Sequence, residues 1–158
     1  MLKFHRHSGI YTLETQTVLP LSIEEVWLFF SDPQNLQAIT PPYMGFEITS
    51  AHSNKAYTGQ IISYRVGILP KIKTNWVTEI THVNEPYFFV DEQRFGPYSM
   101  WHHEHHFARC KEGVCMTDKV SFKIPLGILG HLAYTLFIKA KLTEIFSYRT
   151  NKLKQLFT

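Results

Sequence analysis

The sequence predicts an α+β fold in which an antiparallel sheet packs against helices on one side. The middle of the chain, from Phe46 to Ile124, contains strand-like segments divided by turn residues. Short helix-like segments precede this region, and a long helical segment from Ile128 to Leu156 follows it. A length of 158 residues suits one domain, residues 1–158, which can fold without a disulfide or a structural metal.

One strand and two short helices open the chain. Apolar and polar residues alternate in the first segment, which is typical of a strand, and Pro20 ends it. Ser22 and Glu25 then have the spacing of a capping box, which begins a helix. Asp32 and Pro33 end this helix and begin the next one. The predicted elements are a strand at Ile10–Leu19 and helices at Ile23–Phe30 and Gln34–Ile39.

Turn residues divide the middle region into six further strands, which makes a predicted sheet of seven. These turns contain Pro86, Gly96, Pro97 and Gly113. In the C-terminal segment, apolar residues recur at helical spacing with lysines and an arginine between them. The six strands are predicted at Phe46–Ala51, Gly59–Val66, Ile72–Val83, Tyr87–Phe95, Tyr98–Cys110 and Val114–Ile124.

Composition excludes several classes of function. The net charge is +3 and no run of Lys or Arg exceeds two residues, which argues against binding to nucleic acid. The longest uncharged apolar run, Ile124 to Ile138, has fifteen residues, fewer than the ~20 needed for a transmembrane helix. Two Cys and no signal-peptide pattern predict a cytoplasmic protein.

Several motifs follow one another along the chain. A strand is followed by S-x-E-E-V-W and D-P-x-x-L, and the segment from Phe89 to Phe107 reads F-x-D-x-Q-x-x-G-P-x-x-x-W-x-H-x-H-x-F. Together they resemble the SRPBCC (START-like, polyketide cyclase/dehydrase-like) superfamily, and the second motif resembles a bacterial ligand-binding subgroup. The resemblance covers nearly the whole chain. It implies a helix-grip fold, in which a curved seven-stranded sheet wraps around the long C-terminal helix and encloses an apolar cavity. Members bind lipids, sterols, polyketides or aromatic molecules, and some are enzymes.

Strand periodicity divides the central motif between two faces of the sheet. The aromatic residues identify the inner face, and the intervening polar residues form a solvated stripe on the outer face. The inner residues are Trp101, His103, His105 and Phe107, and the outer residues are His102, Glu104 and His106.

Two turns predict the strand register. A two-residue turn at Glu112 and Gly113 pairs Cys110 with Cys115, which brings two thiols face to face. The same turn predicts the pairs His103–Phe122, His105–Val120 and Phe107–Asp118. A turn around Gly96-Pro97 predicts the pairs Phe89–His105, Asp91–His103 and Gln93–Trp101.

The two registers bring five polar side chains together inside an aromatic wall: Asp91, Gln93, His103, His105 and Asp118. A buried carboxylate requires a partner, so each Asp is expected to pair with a His or another donor. Three roles remain open: the group orients the polar end of a ligand, His103 or His105 acts as a general acid or base held by Asp91 or Asp118, or the network only fixes strand register. The two inner His residues also suit a metal ion shared with Asp118 or Asp91. Spacing alone is weak evidence for a metal site, so ligand binding is favoured and we predict neither metal nor cofactor.

The sequence therefore predicts a noncatalytic protein that binds or transports a hydrophobic small molecule, as a monomer or weak dimer. The alternatives are a cyclase- or dehydratase-type enzyme that uses the inner His and Asp residues, and a protein-interaction module. A collapsed cavity with an exposed apolar patch would favour the interaction module. The predicted ligand-binding residues are Phe89, Asp91, Gln93, Trp101, His103, His105, Phe107, Asp118, Val120 and Phe122.

Overall fold

An antiparallel sheet of eight strands forms the body of the protein in a computed structural model, which describes residues 2–50, 53–69 and 72–157. The α+β prediction is confirmed. The strands are β1 (Lys3–His7), β2 (Ile10–Leu19), β3 (Glu47–Ile48), β4 (Gln60–Leu69), β5 (Ile72–Asn84), β6 (Phe88–Phe95), β7 (Met100–Cys110) and β8 (Gly113–Lys123). They lie in the order β1-β2-β8-β7-β6-β5-β4-β3, so β2 and β8, which are far apart in the sequence, are neighbours.

Strand β1 is the element that the sequence did not predict, so the expected count of seven strands is wrong. It pairs with β2 through a two-residue turn, Ser8 and Gly9, both of which have positive φ angles (48° and 78°). Such a turn matches the twist of an antiparallel hairpin. Strand β3 is shorter than predicted, with two residues, and Ala51 lies outside the described residues.

Both short helices are present after β2. Ser22 Oγ accepts the backbone N–H of Glu25, and the Glu25 carboxylate accepts the backbone N–H of Ser22, which confirms the predicted capping box. Asp32 accepts a hydrogen bond from the backbone of Gln34 before the second helix. The elements are α1 (Ile23–Ser31), α2 (Asn35–Ala38) and a 3₁₀ turn (Pro42–Met44).

The hairpin between β7 and β8 has a different register from the predicted one. Cys110 pairs with Gly113, so the loop residues are Lys111 and Glu112 rather than Glu112 and Gly113. A Cβ atom on Gly113, whose φ is 126°, would overlap the carbonyl oxygen of Leu19. Glycine is therefore needed where β8 begins beside the end of β2. The pairs are His103–Val120, His105–Asp118, Phe107–Met116 and Trp101–Phe122.

This register shifts every predicted pair on β8 by two residues, which leaves each side chain on its predicted face. Cys115 lies opposite Ala108, so the predicted pairing of Cys110 with Cys115 is wrong, and both thiols are free. The register between β6 and β7 is confirmed at Phe89–His105 and Asp91–His103.

The long C-terminal helix lies against the inner face of the sheet, as predicted. It consists of α3 (Gly127–Ala133), a π-helical turn (Tyr134–Ile138) and α4 (Lys139–Phe157). The buried side chains of α4 are Leu142, Phe146, Arg149 and Leu153, which recur at helical spacing. No helix in the described part of the chain is long and apolar enough to cross a membrane.

Irregular strand pairing accompanies the bending of the sheet around this helix. The pairing shifts after Gly67 in β4 and at two places in β5. Shifts of this kind increase local twist and bend the strands. A Cβ atom on Gly67 would lie 3.1 Å from the carbonyl oxygen of Met44, so glycine lets the 3₁₀ turn approach β4 closely.

Candidate functional site

Three neighbouring strands, β6, β7 and β8, place two carboxylates and two imidazoles on the inner face of the sheet. Asp91 comes from β6, His103 and His105 from β7, and Asp118 from β8. Because side chains alternate along a strand, the two His residues share a face. Both imidazoles and Asp118 are buried. We call these four residues together with Arg149 of α4 the polar cluster.

Each imidazole contacts both carboxylates, with the shorter contact running diagonally. His103 Nε2 lies 2.9 Å from Asp118 Oδ1, and His105 Nε2 lies 2.8 Å from Asp91 Oδ2. His103 Nδ1 is 3.6 Å from Asp91 Oδ2. His105 Nδ1 is 3.1 Å from Asp118 Oδ1, but at an angle outside that of a hydrogen bond. The expectation that each Asp pairs with a His is confirmed, and the four groups form a closed ring.

Arg149 adds a cation that the sequence analysis did not assign to the site. Its Nη1 lies 3.4 Å from Asp118 Oδ1, and the side chain is buried. The sequence contains a signal for this role of Arg149. At helical spacing, Arg149 follows Leu142 and Phe146 on the apolar stripe of the helix. A charged residue on a buried helical stripe indicates a buried partner.

The surroundings favour the charged forms of both carboxylates. Burial by itself would raise the pKa of Asp118, but the Arg149 guanidinium and the two neighbouring imidazoles outweigh it and lower that pKa. Burial likewise opposes ionisation of Asp91, yet the hydrogen bond from His105 and the charges of the imidazoles and Arg149 lower its pKa.

The two imidazoles differ in their titration. Burial lowers the pKa of His103, and the neighbouring His105 lowers it further. Burial also opposes charging of His105, but its two carboxylate contacts outweigh burial and raise the pKa of this imidazole. The pKa values of the two imidazoles are thus shifted in opposite directions, so the polar cluster favours a proton on His105 over one on His103.

A cavity of about 200 Å³ lies between the sheet, the short helices and α4, with the polar cluster on one wall. The cavity is partly open rather than sealed. Most of its wall is apolar or aromatic. Among the lining residues are Phe30, Ile39, Met44, Ile62, Trp76, Ile80, Phe89, Trp101, Ile145 and Phe146.

The predicted site residues divide into those that line the cavity and those that do not. Phe89, Asp91, Trp101, His103 and His105 line it. The remaining predicted residues lie elsewhere. Asp118 sits behind the two imidazoles, Phe107 packs against Trp27 and Phe30, Val120 and Phe122 pack with Tyr11 and Leu13, and Gln93 hydrogen-bonds the backbone of Tyr98.

Gln93 is therefore a turn-stabilising residue and not a member of the polar cluster. Its side chain donates to the carbonyl of Tyr98 (2.6 Å) and accepts from the backbone N–H of the same residue (3.2 Å). It bridges the loop between β6 and β7. Sequence alternation placed it on the inner face but could not show that the loop would satisfy both of its polar atoms.

Gln60 of β4 is a second polar feature of the cavity wall that the sequence analysis missed. Its side chain is buried, and its Oε1 accepts the backbone N–H of Tyr57 (3.3 Å). This bond orients the amide so that Nε2 has no partner in the structure. A buried N–H group without a partner is costly, which makes Gln60 a polar exception in a mostly apolar wall.

The outer face of β7 carries a separate set of ion pairs. His102 Nδ1 lies 2.7 Å from Glu92, and Glu104 contacts both His106 and Lys119 at 2.9 Å. These side chains are partly exposed, in agreement with the predicted solvated stripe.

Comparisons with known proteins show the fold. No family model matches the sequence, and no curated protein matches it significantly. The solved structure of protein Ms6760 from Mycobacterium smegmatis is similar over 99% of this chain and 95% of its own, with 15% identity and a TM-score of 0.66. A protein from Arthrobacter aurescens is similar over 97% and 91%, with 10% identity and a TM-score of 0.69. The Thermus thermophilus protein TTHA0849 is similar over 93% and 99%, with 14% identity and a TM-score of 0.64. The chain therefore shares its architecture with these proteins over nearly its whole length.

Proposed function

We propose that the protein binds a small aromatic or lipid-like molecule in the cavity, as the resemblance to START-like (SRPBCC) proteins also suggests. One observation carries the proposal: an apolar cavity of about 200 Å³ with the polar cluster on one wall. Apolar lining supplies affinity, and a few fixed polar groups supply orientation. The carboxylates, imidazoles and guanidinium of the cluster pair with one another, which favours an uncharged polar group on the ligand.

The size and polarity of the cavity narrow the ligand class. An engineered cavity of roughly 150 Å³ in another protein holds benzene, so about 200 Å³ suits one ring or two fused rings. Asp91, His103, His105 and Arg149 are the members of the polar cluster that line the cavity. A ligand with one hydroxyl or carbonyl group can hydrogen-bond to them while its rings contact the apolar wall.

The test uses 2-naphthol, which has two fused rings and one hydroxyl, in a calorimetric titration of protein freed of metal ions by a chelator. We expect one molecule per chain with Kd near micromolar, about −8 kcal/mol. Ile62→Trp fills the cavity and should abolish binding. Ile61→Trp is the matched control, because this neighbouring residue points away from the core and is 48% exposed.

Two results would count against the proposal. One is the absence of saturable binding by folded wild-type protein. The other is equal binding by the two tryptophan variants, which would place 2-naphthol outside the cavity.

A second candidate function, self-association, is favoured by an exposed apolar surface on α3 and the turn that follows. Residues 125–138 contain no Asp, Glu, Lys or Arg. Two copies can therefore meet here without charge repulsion. Exposed apolar residues are normally scattered singly over a protein surface, whereas here they are clustered. It consists of Leu126, Ile128, Leu129, Leu132, Leu136 and Phe137, each more than half exposed.

Sedimentation velocity over a range of protein concentrations tests this candidate. We expect a reversible dimer that is lost in the double variant Ile128→Glu/Leu132→Glu. Leu28→Glu on α1, which replaces another exposed apolar residue, should leave it unchanged. A wild-type protein that remains monomeric at all concentrations would reject the candidate.

A further inference from the structure

We propose that Asp91, His103 and His105 bind a divalent transition-metal ion, such as Zn²⁺, at the wall of the cavity. This inference goes beyond the proposed function, because it does not require an organic ligand. One nitrogen from each imidazole and one oxygen of Asp91 lie within 4.8 Å of one another. All three residues line the cavity, so an ion held by them has a side open to it.

The distances around Asp91 suit a shared ion. Asp91 Oδ2 is 2.8 Å from His105 Nε2 and 3.6 Å from His103 Nδ1. Ligands that bind Zn²⁺ at about 2.0–2.1 Å in a tetrahedron are roughly 3.4 Å apart. Two of the three ligand pairs thus already have nearly the required separation. Two imidazoles and one carboxylate with an open position also form a donor set that first-row transition metals prefer.

Asp118 supports this assignment from behind the imidazoles. Its Oδ1 lies 2.9 Å from His103 Nε2 and 3.1 Å from His105 Nδ1, the two ring nitrogens turned away from Asp91. Imidazoles that bind metals generally donate their other N–H to a carboxylate or carbonyl, which fixes the tautomer. With the N–H of His103 Nε2 directed to Asp118, the lone pair of His103 Nδ1 faces Asp91. On metal binding His105 Nε2 releases its proton to solvent, while His105 Nδ1 keeps the N–H that lies closest to Asp118. Arg149 holds Asp118 in place at 3.4 Å.

The charge of the loaded site indicates what occupies the open position. Two carboxylates and the Arg149 guanidinium together carry one negative charge, so a divalent ion leaves the site with one positive charge. A buried net charge is unfavourable without a partner. The open position therefore favours an anion, such as hydroxide or the carboxylate of a small acid that enters the cavity.

The experiment titrates untagged, chelator-treated protein with ZnCl₂ by calorimetry and with CoCl₂ by visible absorption. We expect one ion per chain and Co²⁺ bands characteristic of nitrogen and oxygen ligands. Asp91→Asn and His105→Gln should each weaken Zn²⁺ binding by at least tenfold. Asp118→Asn should weaken it by about 10–100-fold, as expected for a carboxylate that orients the ligands. The control is His102→Gln/His106→Gln, which removes the imidazoles of the outer face of the same strand and should leave affinity unchanged.

Circular dichroism establishes that each variant is folded. Stoichiometric uptake that is lost in Asp91→Asn but retained in the outer-face control supports the site. The proposal fails if folded wild-type protein takes up no stoichiometric Zn²⁺ or Co²⁺, or if Asp91→Asn binds as tightly as wild type. Because 2-naphthol binding is measured on metal-free protein, the two proposals fail separately. Binding of naphthol without binding of Zn²⁺ rejects the metal site alone.

Discussion

Arg149 supplies a fixed positive charge to the polar cluster, since an arginine side chain is always charged in proteins. Its partner Asp118 is buried and has a lowered pKa. The carboxylate therefore depends on Arg149 to remain ionised inside the protein. Compensation of the buried charges involves five residues from four elements rather than any one pair.

We predict that Arg149→Met destabilises the protein by about 3–5 kcal/mol, since it leaves the Asp118 charge uncompensated. The matched control is Arg109→Met, which removes an arginine paired with Glu24 on the surface at 2.8 Å. Both members of that pair are largely exposed, so the loss should be below about 1 kcal/mol. Denaturant unfolding measures both variants. Similar losses would show that Arg149 contributes no more than a surface charge.

His105 and His103 should give stability opposite dependences on pH in metal-free protein. The raised pKa of His105 means that its stabilisation is complete below the unfolded value of about 6.5 and is lost as pH rises through the folded pKa. The lowered pKa of His103 means that stability is lost as pH falls below about 6.5, where the unfolded chain takes up the proton first. His105→Gln should flatten the alkaline side of the stability profile, and His103→Gln the acidic side.

The measurement is the free energy of unfolding from pH 5 to pH 9 for the two variants and wild type. Flattening on the same side by both substitutions would contradict the opposite pKa shifts of His103 and His105. The comparison is informative because the two imidazoles share a strand, a face and a degree of burial.

Among the site residues, the four on β6, β7 and β8 are predictable from the sequence, whereas Arg149 and Gln60 are not. Alternation along β7 placed His103 and His105 inside, and the turn near Gly96 brought Asp91 to them. Arg149 lies on α4, 31 residues after Asp118 in the sequence, and no local sequence pattern shows which strand this helix packs against. Gln60 is likewise identified by an unpaired amide, which becomes visible in the folded arrangement alone.

At the scale of elements, the β7–β8 hairpin shows why register is harder to predict than face. The sequence predicts this turn one residue too late in the chain. The predicted partners on β8 are therefore shifted by two residues, but each side chain is assigned to the correct face of the sheet. The deciding contact is remote in sequence, because Gly113 must pass close to the backbone of Leu19. Strand β1 is not predicted from the sequence, because its charged and His residues obscure the alternation of apolar and polar residues that is typical of a strand.

For the substitution Gly130→Ala in α3, the structure and helix propensity predict opposite effects on stability. Alanine is favoured over glycine in a helix by about 1 kcal/mol, so propensity alone predicts stabilisation by Gly130→Ala. In this fold a Cβ atom there would overlap the carbonyl oxygen of Pro125. We therefore expect Gly130→Ala to lower the melting temperature, whereas Thr135→Ala, at an exposed position of the same helix, should leave it nearly unchanged. An increase in the melting temperature of Gly130→Ala would contradict this prediction and show that the start of the helix can shift to accommodate the added methyl group.

For the whole molecule, occupancy of the cavity should be coupled to stability. A ligand that binds the folded state alone stabilises it by about 2.7 kcal/mol at 100 times its Kd. For a domain of this size, each kcal/mol raises the melting temperature by roughly 2–4 °C. Saturating 2-naphthol should thus raise it by about 5–10 °C in wild type and leave Ile62→Trp unchanged. A shift of equal size in both proteins would indicate binding to some surface other than the cavity.

The extra strand β1 affects how the molecule behaves in a crowded solution. The sheet ends at the five-residue β1 on one side and at the two-residue β3 on the other, so both end strands are short. Lys3 and Arg6 put positive charge on β1, and His5 and His7 can add more in acid. Like charges oppose the addition of a strand from a second copy. Without β1, residues 10–14 of β2 would also lie at the edge, with alternating buried residues next to an unpaired backbone. We therefore expect the short, cationic β1 to oppose edge-to-edge association along this half of β2.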